Sequence, residues 1–383
     1  KVTAQHKRGE WILGRGWDQN KWPSKKMPDK KLLDQLFPQN PVCFTRVDGH
    51  AIWVNQKAID LVEGLSSDGI LIDKEMMPML ALIPEPSRAE TKNYLQTGIR
   101  YFHKSGFTHL RELTCSQLQF ELLRELEVEQ KLNLAIELFF DANPYSPFDA
   151  ALKTALAAKA QTSKLLRVKG IKFFYDGALG SEGALLSCCY PSGHFGLRLM
   201  QPEELKSVVK ETWANDLEPA IHVIGDQAAH EVALVISDLA KDFEVFRFHL
   251  EHAEILRPDT IELLKSLPAV IHFQPCHWHS DKKWLKEKLG ALEKYAFPIA
   301  EVELAGIEIH FGSDSPVEEA SVWNNQTALE QIAALREHPL SKDIRFYHSH
   351  PDADWLPLCW TEFKEGVAKT VFFEEKIIYS RKV

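Results

Sequence analysis

The chain has 383 residues, 45% of them hydrophobic and 26% charged, with a formal net charge of -9. This is the composition of a globular protein with a sizeable core, long enough for one large domain or two ordinary ones. The acidic balance argues against nucleic acid as a partner, and no apolar run reaches the roughly 18–20 residues of a membrane helix.

Six cysteines (Cys43, Cys115, Cys188, Cys189, Cys276, Cys359) are scattered without a Cys-x-x-Cys pair. They make no disulfide framework, so a reducing, cytoplasmic location is expected. The chain opens Lys1-Val2-Thr3-Ala4 without an initiator methionine or signal-peptide pattern, which reads as a segment whose beginning lies upstream.

Short β-branched or aromatic runs alternate with longer helical patterns, the order of an α/β fold with parallel strands. The predicted strands are Val42–Val47, Thr108–Leu113, Leu134–Phe140, Val168–Tyr175, Ala220–Ile224, Phe246–Glu251, Val270–Gln274 and Ile307–Phe311. Helices are predicted from Pro202, which is followed by two acids that suit the helix dipole, and over Pro258–Leu267 and Glu318–Arg336. A (β/α)8 barrel repeats roughly every 31 residues, and the later strands keep that rhythm. A loop rich in Gly and Ser, Gly177–Gly196, follows the fourth of these strands, where long loops dress the active-site face. About sixty residues separate Val47 from Thr108, twice one unit. Val42–Val47 is therefore either the first barrel strand or part of an inserted subdomain. The tail, with strands Ala368–Phe373 and Lys376–Ser380, reads as a small β-sheet outside the barrel.

Four polar groups stand at the C-terminal ends of predicted strands, where barrel enzymes keep their sites. They are Lys172, His222, His252 and Asp314, separated by 50, 30 and 62 residues. Two imidazoles and a carboxylate at one mouth suit zinc or a similar divalent ion. Each has a plainer reading: a hydrogen-bonded histidine, a helix-capping Asp314, or a surface or Schiff-base Lys172. The four in order on four strands favour the site. Trp17, Trp22, Trp53, Phe174, Tyr175 and Trp278 hint at a bulky or aromatic substrate, or fill the core.

These motifs resemble the amidohydrolase superfamily, in the branch of N-substituted formamide deformylases and related metal-dependent hydrolases. The matching stretches are Gly14-Arg15-Gly16-Trp17-Asp18, Arg46-Val47-Asp48-Gly49-His50 with Val54-Asn55, Gly106-Phe107-Thr108, Lys172 with Asp176-Gly177-Ala178-Leu179-Gly180-Ser181, His222-Val223-Ile224-Gly225-Asp226, Glu251-His252-Ala253, Gln274-Pro275-Cys276-His277 and Gly312-Ser313-Asp314-Ser315-Pro316-Val317. The resemblance implies a TIM-like barrel with a small β-sandwich appendage, and hydrolysis of an amide or other C–N bond in a small-molecule substrate. Its cofactor would be one or two divalent ions, zinc by preference. Lys172 would be carboxylated and bridge two metals, His222 and His252 would hold one, and Asp314 would touch the other and act as general base. His50 and Asn55 are expected to shape the substrate pocket and His277 to touch a substrate oxygen. Asp176 and Asp226 are expected as partners of the ligands or as helix caps.

The family carries a His-x-His pair on its first barrel strand, upstream of the Gly14–Asp18 segment, where this sequence has only His6. The expected organisation is thus a barrel over 1–345 without its first strand, an insertion near 10–100 that includes Val42–Val47, and a remnant of the small β domain over 346–383. Pro351-Asp352-Ala353-Asp354-Trp355 resembles the segment leading into the family's last strands. Such a chain would bind metal weakly or at one site. A Schiff-base lyase using Lys172 and a non-catalytic relative of the same fold are the alternative functions. A homodimer is compatible with either.

Overall fold

The computed structural model describes residues 7–143, 146–242, 244, 246–336, 359–364, 367–373 and 376–380. The first strands form a separate four-stranded sheet in the order β1 (Ile12–Trp17), β2 (Val42–Arg46), β3 (Ala51–Val54), β4 (Ile70–Ile72). Only β1 and β2 are parallel. The predicted strand Val42–Val47 is β2, so it lies outside the parallel sheet. Trp17, Trp22 and Trp53 pack on one another, with ring centroids 6.1–6.3 Å apart, in the small core of this sheet. They fill that core and do not line the cavity described below.

Helix α1 (Arg88–Lys104) leads into the main sheet, its start closed by a capping box between Ser87 and Glu90. Seven strands follow: β5 (His109–Cys115), β6 (Ala135–Asp141), β7 (Leu166–Phe174), β8 (Glu218–Val223), β9 (Phe248–His252), β10 (Ala269–Phe273) and β11 (Glu308–Phe311). All pair in parallel and in chain order. Crossover helices between them include α2 (Gln117–Val128), α3 (Phe148–Lys159), α4 (Pro202–Ala214), α5 (Asp226–Asp242), α6 (Pro258–Leu264) and α7 (Ile299–Leu304). Helix α8 (Val322–Arg336) begins four residues later than predicted. The Ser321 hydroxyl accepts from the Asn324 amide, which fixes the start there.

The sheet curls. Arg111 on β5 reaches Glu251 on β9 at 3.1 Å and His272 on β10 at 2.9 Å. In a flat sheet β5 and β9 would stand about 19 Å apart, four strand spacings. The outward residues, such as Ile171 and Phe173 on β7 or Leu250 on β9, join the helices in one large core. Burial is complete along β9 and β10, whereas β5 and β11 are mostly half-exposed. Among the described residues the sheet has seven strands, not eight, and stays open between β5 and β11. This is a TIM-like α/β architecture.

The tail holds a three-stranded antiparallel sheet, β12 (Cys359–Lys364), β13 (Val367–Phe373) and β14 (Lys376–Ser380), with α1 against β13 and β14. The sequence reading found two of these strands and missed β12. The expected boundary at 345/346 and the Pro351–Trp355 segment lie outside the described residues. Cys43, Cys115, Cys188, Cys189 and Cys276 are free. No described helix is long and apolar enough to cross a membrane.

Candidate active site

A cavity of about 1280 Å3 runs along the inner face of the sheet, from the C-terminal ends of the strands down the open side to the N-terminal parts of β5, β6 and β11. On β7, alternation sends Lys172 and Phe174 inward while Ile171 and Phe173 enter the core. His222 on β8 obeys the same parity, between the core residues Ile221 and Val223. His252 does not. On strand parity it would follow Phe248 and Leu250 outward. Its φ of 75°, followed by 46° at Ala253, ends β9 in the left-handed region and turns the imidazole into the cavity. Asp314, just past β11, also has a positive φ of 52°. Left-handed backbone at such residues is costly and clusters at functional sites.

Lys172, His222, His252, Asp314, His50 and His277 all line this cavity. Ring centroids lie 4.6 Å apart for His222 and His252, 6.0 Å for His252 and His277, and 5.4 Å for His50 and His222. His277 Nε2 is 3.7 Å from Asp314 Oδ2, and its Nδ1 is 3.1 Å from Glu254 Oε1. The Lys172 ammonium lies 4.2 Å from the Phe174 ring centroid and donates to the Phe173 carbonyl at 3.3 Å.

Asn55 is placed elsewhere. Its amide oxygen accepts from Val42 and Ala58, and its nitrogen donates to the carbonyls of Phe37 and Asn40. Four such bonds satisfy the side chain within the small sheet, leaving nothing to offer a substrate. Phe174 is in the cavity, while Tyr175 is buried in the core and Trp278 packs against Phe297.

The electrostatics are divided. Burial, then the neighbouring cationic groups, holds His222 and His252 well below the usual imidazole range, so both are neutral and able to ligate. Burial lowers the Lys172 amine to about 8, against the pull of Glu251 and Asp314 and with help from Arg111. His277 goes the other way: burial opposes it, but Glu254, Asp314 and Asp281 raise it to about 9. His50 is also raised, burial notwithstanding, by its 2.6 Å contact with Asp73.

Asp176 is wholly buried, 3.8 Å from His222 Nε2, and accepts from the amides of Leu185, Ile224 and Gly225. It ties the Gly177–Gly196 loop to the end of β8. A Cβ on Gly225 would stand 1.9 Å from the Leu185 carbonyl oxygen, so only glycine lets the loop approach there. Asp226 holds the Ser187 amide and Arg257 and plays the same structural part. Sequence reasoning missed Glu254, Arg111 and Asp73. Glu254 stands two residues past His252, and that spacing was the available signal.

The amidohydrolase family profile matches residues 1–329. The chain belongs to the amidohydrolase family. The chain is 27% identical over 366 residues to the protein LONG AFTER FAR-RED 3 of Arabidopsis thaliana, covering 87% of this chain and 62% of that one. It is 28% identical over 346 residues to YtcJ of Bacillus subtilis strain 168, a protein named as an amidohydrolase, covering 82% of this chain and 63% of the other. The chain thus spans somewhat under two thirds of these curated relatives. The crystal structure of an uncharacterized metal-dependent hydrolase from Pyrococcus horikoshii OT3 superposes with a TM-score of 0.66 at 25% identity, over 84% of this chain and 65% of that one.

Proposed function

We propose that the chain is a metal-dependent hydrolase that cleaves an amide or other C–N bond of a small molecule with a metal-activated water. The observation that carries this reading is the meeting of Lys172, His222, His252 and Asp314, from four strand ends, in one cavity. The residues fit a divalent ion: two buried neutral imidazoles face a carboxylate, and His252 Nδ1 has no well-formed hydrogen bond. Lys172, carboxylated, would join His222, His252 and Asp314 in holding it, with zinc the preferred metal. Carboxylation needs a neutral amine, and burial has already moved Lys172 in that direction. Such an ion supplies a water acidic enough to attack at neutral pH.

Asp314, its side chain 38% accessible from the cavity, would serve as the base that accepts a proton from the attacking water and hands it to the leaving nitrogen. His277, held by Glu254 as an imidazolium, donates a hydrogen bond to the substrate carbonyl oxygen. His50, fixed by Asp73, lines the cavity beside His222. Among the described residues the sheet stays open between β5 and β11, which is compatible with an eighth strand that would bring the family's His-x-His pair for a second ion.

The test is an assay of the zinc-loaded full-length protein on a panel of N-formyl and N-acyl amines. Asp314→Asn should lose nearly all kcat with little change in KM, because it removes the base and keeps the shape. Full activity in that variant would overturn the reading. One observation favours a second chemistry: a buried amine lowered to about 8 is also a Schiff-base nucleophile. Borohydride trapping of a carbonyl compound on Lys172, without metal, would establish it.

A further inference from the structure

On the β9–β10 side of the mouth stand two side chains that the ligand set above leaves out, Glu254 and His277. One nitrogen from each of His252 and His277 and one Glu254 oxygen lie within 4.8 Å of one another. All three residues are buried, with exposures of 8%, 8% and 4% for His252, His277 and Glu254. His277 Nε2 has no hydrogen-bond partner, and neither does His252 Nδ1, although the Gln274 side chain lies beside it. Two buried imidazole nitrogens without acceptor or donor are rare in a folded interior and mark a place where a ligand completes the bonding.

Charge points to the sign of that ligand. Glu254 at 3.1 Å and Asp314 at 3.7 Å flank His277, whereas burial and the neighbouring Glu254 push Asp281 towards its neutral form. A cation seated there displaces the Nε2 proton of His277, so a filled seat and the hydrogen-bond donor role proposed above are alternative states of that residue. Two imidazoles and one carboxylate form the donor set of zinc and similar ions.

We propose that His252, Glu254 and His277 form a seat for one divalent cation, apart from the Lys172–His222 side of the mouth. The seat shares His252 with the function proposed above but needs no hydrolytic step, so the two can fail separately. At Glu254 the carboxylate is essential, since an amide of the same shape is a poor ligand. At His277 an imidazole nitrogen is needed and not merely a hydrogen-bond donor.

The test is a titration of the chelator-stripped protein with Co2+, followed by calorimetry and by the visible absorption of the bound ion. In a Lys172→Met background, which removes a ligand of the function proposed above, one Co2+ equivalent should remain, and adding Glu254→Gln or His277→Asn should weaken it by roughly tenfold or more. Circular dichroism establishes that each variant is folded. Should His277→Asn fail to fold, Glu254→Asp replaces it and should bind more weakly than the parent but more tightly than Glu254→Gln. Unchanged Co2+ affinity on adding Glu254→Gln to that background, or loss of all Co2+ binding in Lys172→Met, overturns the seat. The expected Co2+ affinities in a protein that hydrolyses nothing would support the seat and count against the hydrolase reading alone.

Discussion

Nη1 of Arg111 lies 2.9 Å from Nδ1 of His272. A guanidinium can only donate, so His272 accepts there and carries its proton on Nε2. That Nε2 is 2.8 Å from Nδ1 of His249, which must accept in turn. His249 then donates from Nε2 to Glu218 Oε2 at 2.7 Å. Arg111 also forks onto Glu251 Oε1 from both terminal nitrogens, at 3.1 Å each. Barrel interiors are usually filled by branched apolar side chains. Here β5, β8, β9 and β10 contribute a polar chain of fixed direction beneath the candidate site.

Arg111→Met should be strongly destabilising. Glu251 is 1% exposed, and removing its partner strands a buried charge at a cost of about 3–5 kcal/mol. Arg111→Lys should recover only part, because one ammonium cannot bridge Glu251 and His272 with the same fork. Urea midpoints of the two variants check the order.

Glu218 sets the acid sensitivity of this chain. Burial pushes its carboxyl up, but His249 and then Lys169 outweigh burial and hold it at about 2 against the usual 4.5. A depressed carboxyl stabilises the fold fully above 4.5, and that contribution is lost as pH falls towards 2. His249 and His272, held below 6.5 chiefly by burial, add the same sign, since unfolding lets them take up protons in acid. Glu218→Gln should cost about 1–2 kcal/mol at neutral pH, and the gap to the parent should narrow below pH 4.5. A gap of constant size down to the acid limit would contradict this.

Asn55→Ala should lower stability by about 1–2 kcal/mol, by uncapping the Gln56–Ile59 turn and releasing the start of β2. Substrate affinity in folded protein should not change. A raised KM with an unchanged melting temperature would return Asn55 to the pocket.

Gly225→Ala should loosen the loop over the mouth. Its methyl group cannot share space with the Leu185 carbonyl, and forced overpacking of this kind costs about 1–3 kcal/mol. Limited proteolysis should cut within residues 177–201 faster than in the parent.

Local signals were enough for much of this molecule. Buried parallel strands read as apolar runs, and side-chain parity on β7 and β8 makes Lys172 and His222 inward-facing wherever the strands lie. Proline and acids at the start of α4 marked that helix. The predicted strands placed His252 and Asp314 at their C-terminal ends, and both line one cavity with Lys172 and His222. What parity could not supply was the turn at His252, because a left-handed φ depends on the backbone that holds it. Asn55 shows the opposite case: a polar residue in a motif reads as available for substrate, whereas the packed backbone around it takes up four of its bonds. The Arg111–His272–His249–Glu218 chain was invisible for a different reason. Its members come from strands as far apart in sheet order as β5 and β10 and meet only because the sheet curls. Sequence determined the elements and the inward faces, through contacts between near neighbours along the chain. Tertiary structure alone decided which inward groups touch, since the curl that brings Arg111 to Glu251 and His272 joins residues more than a hundred positions apart.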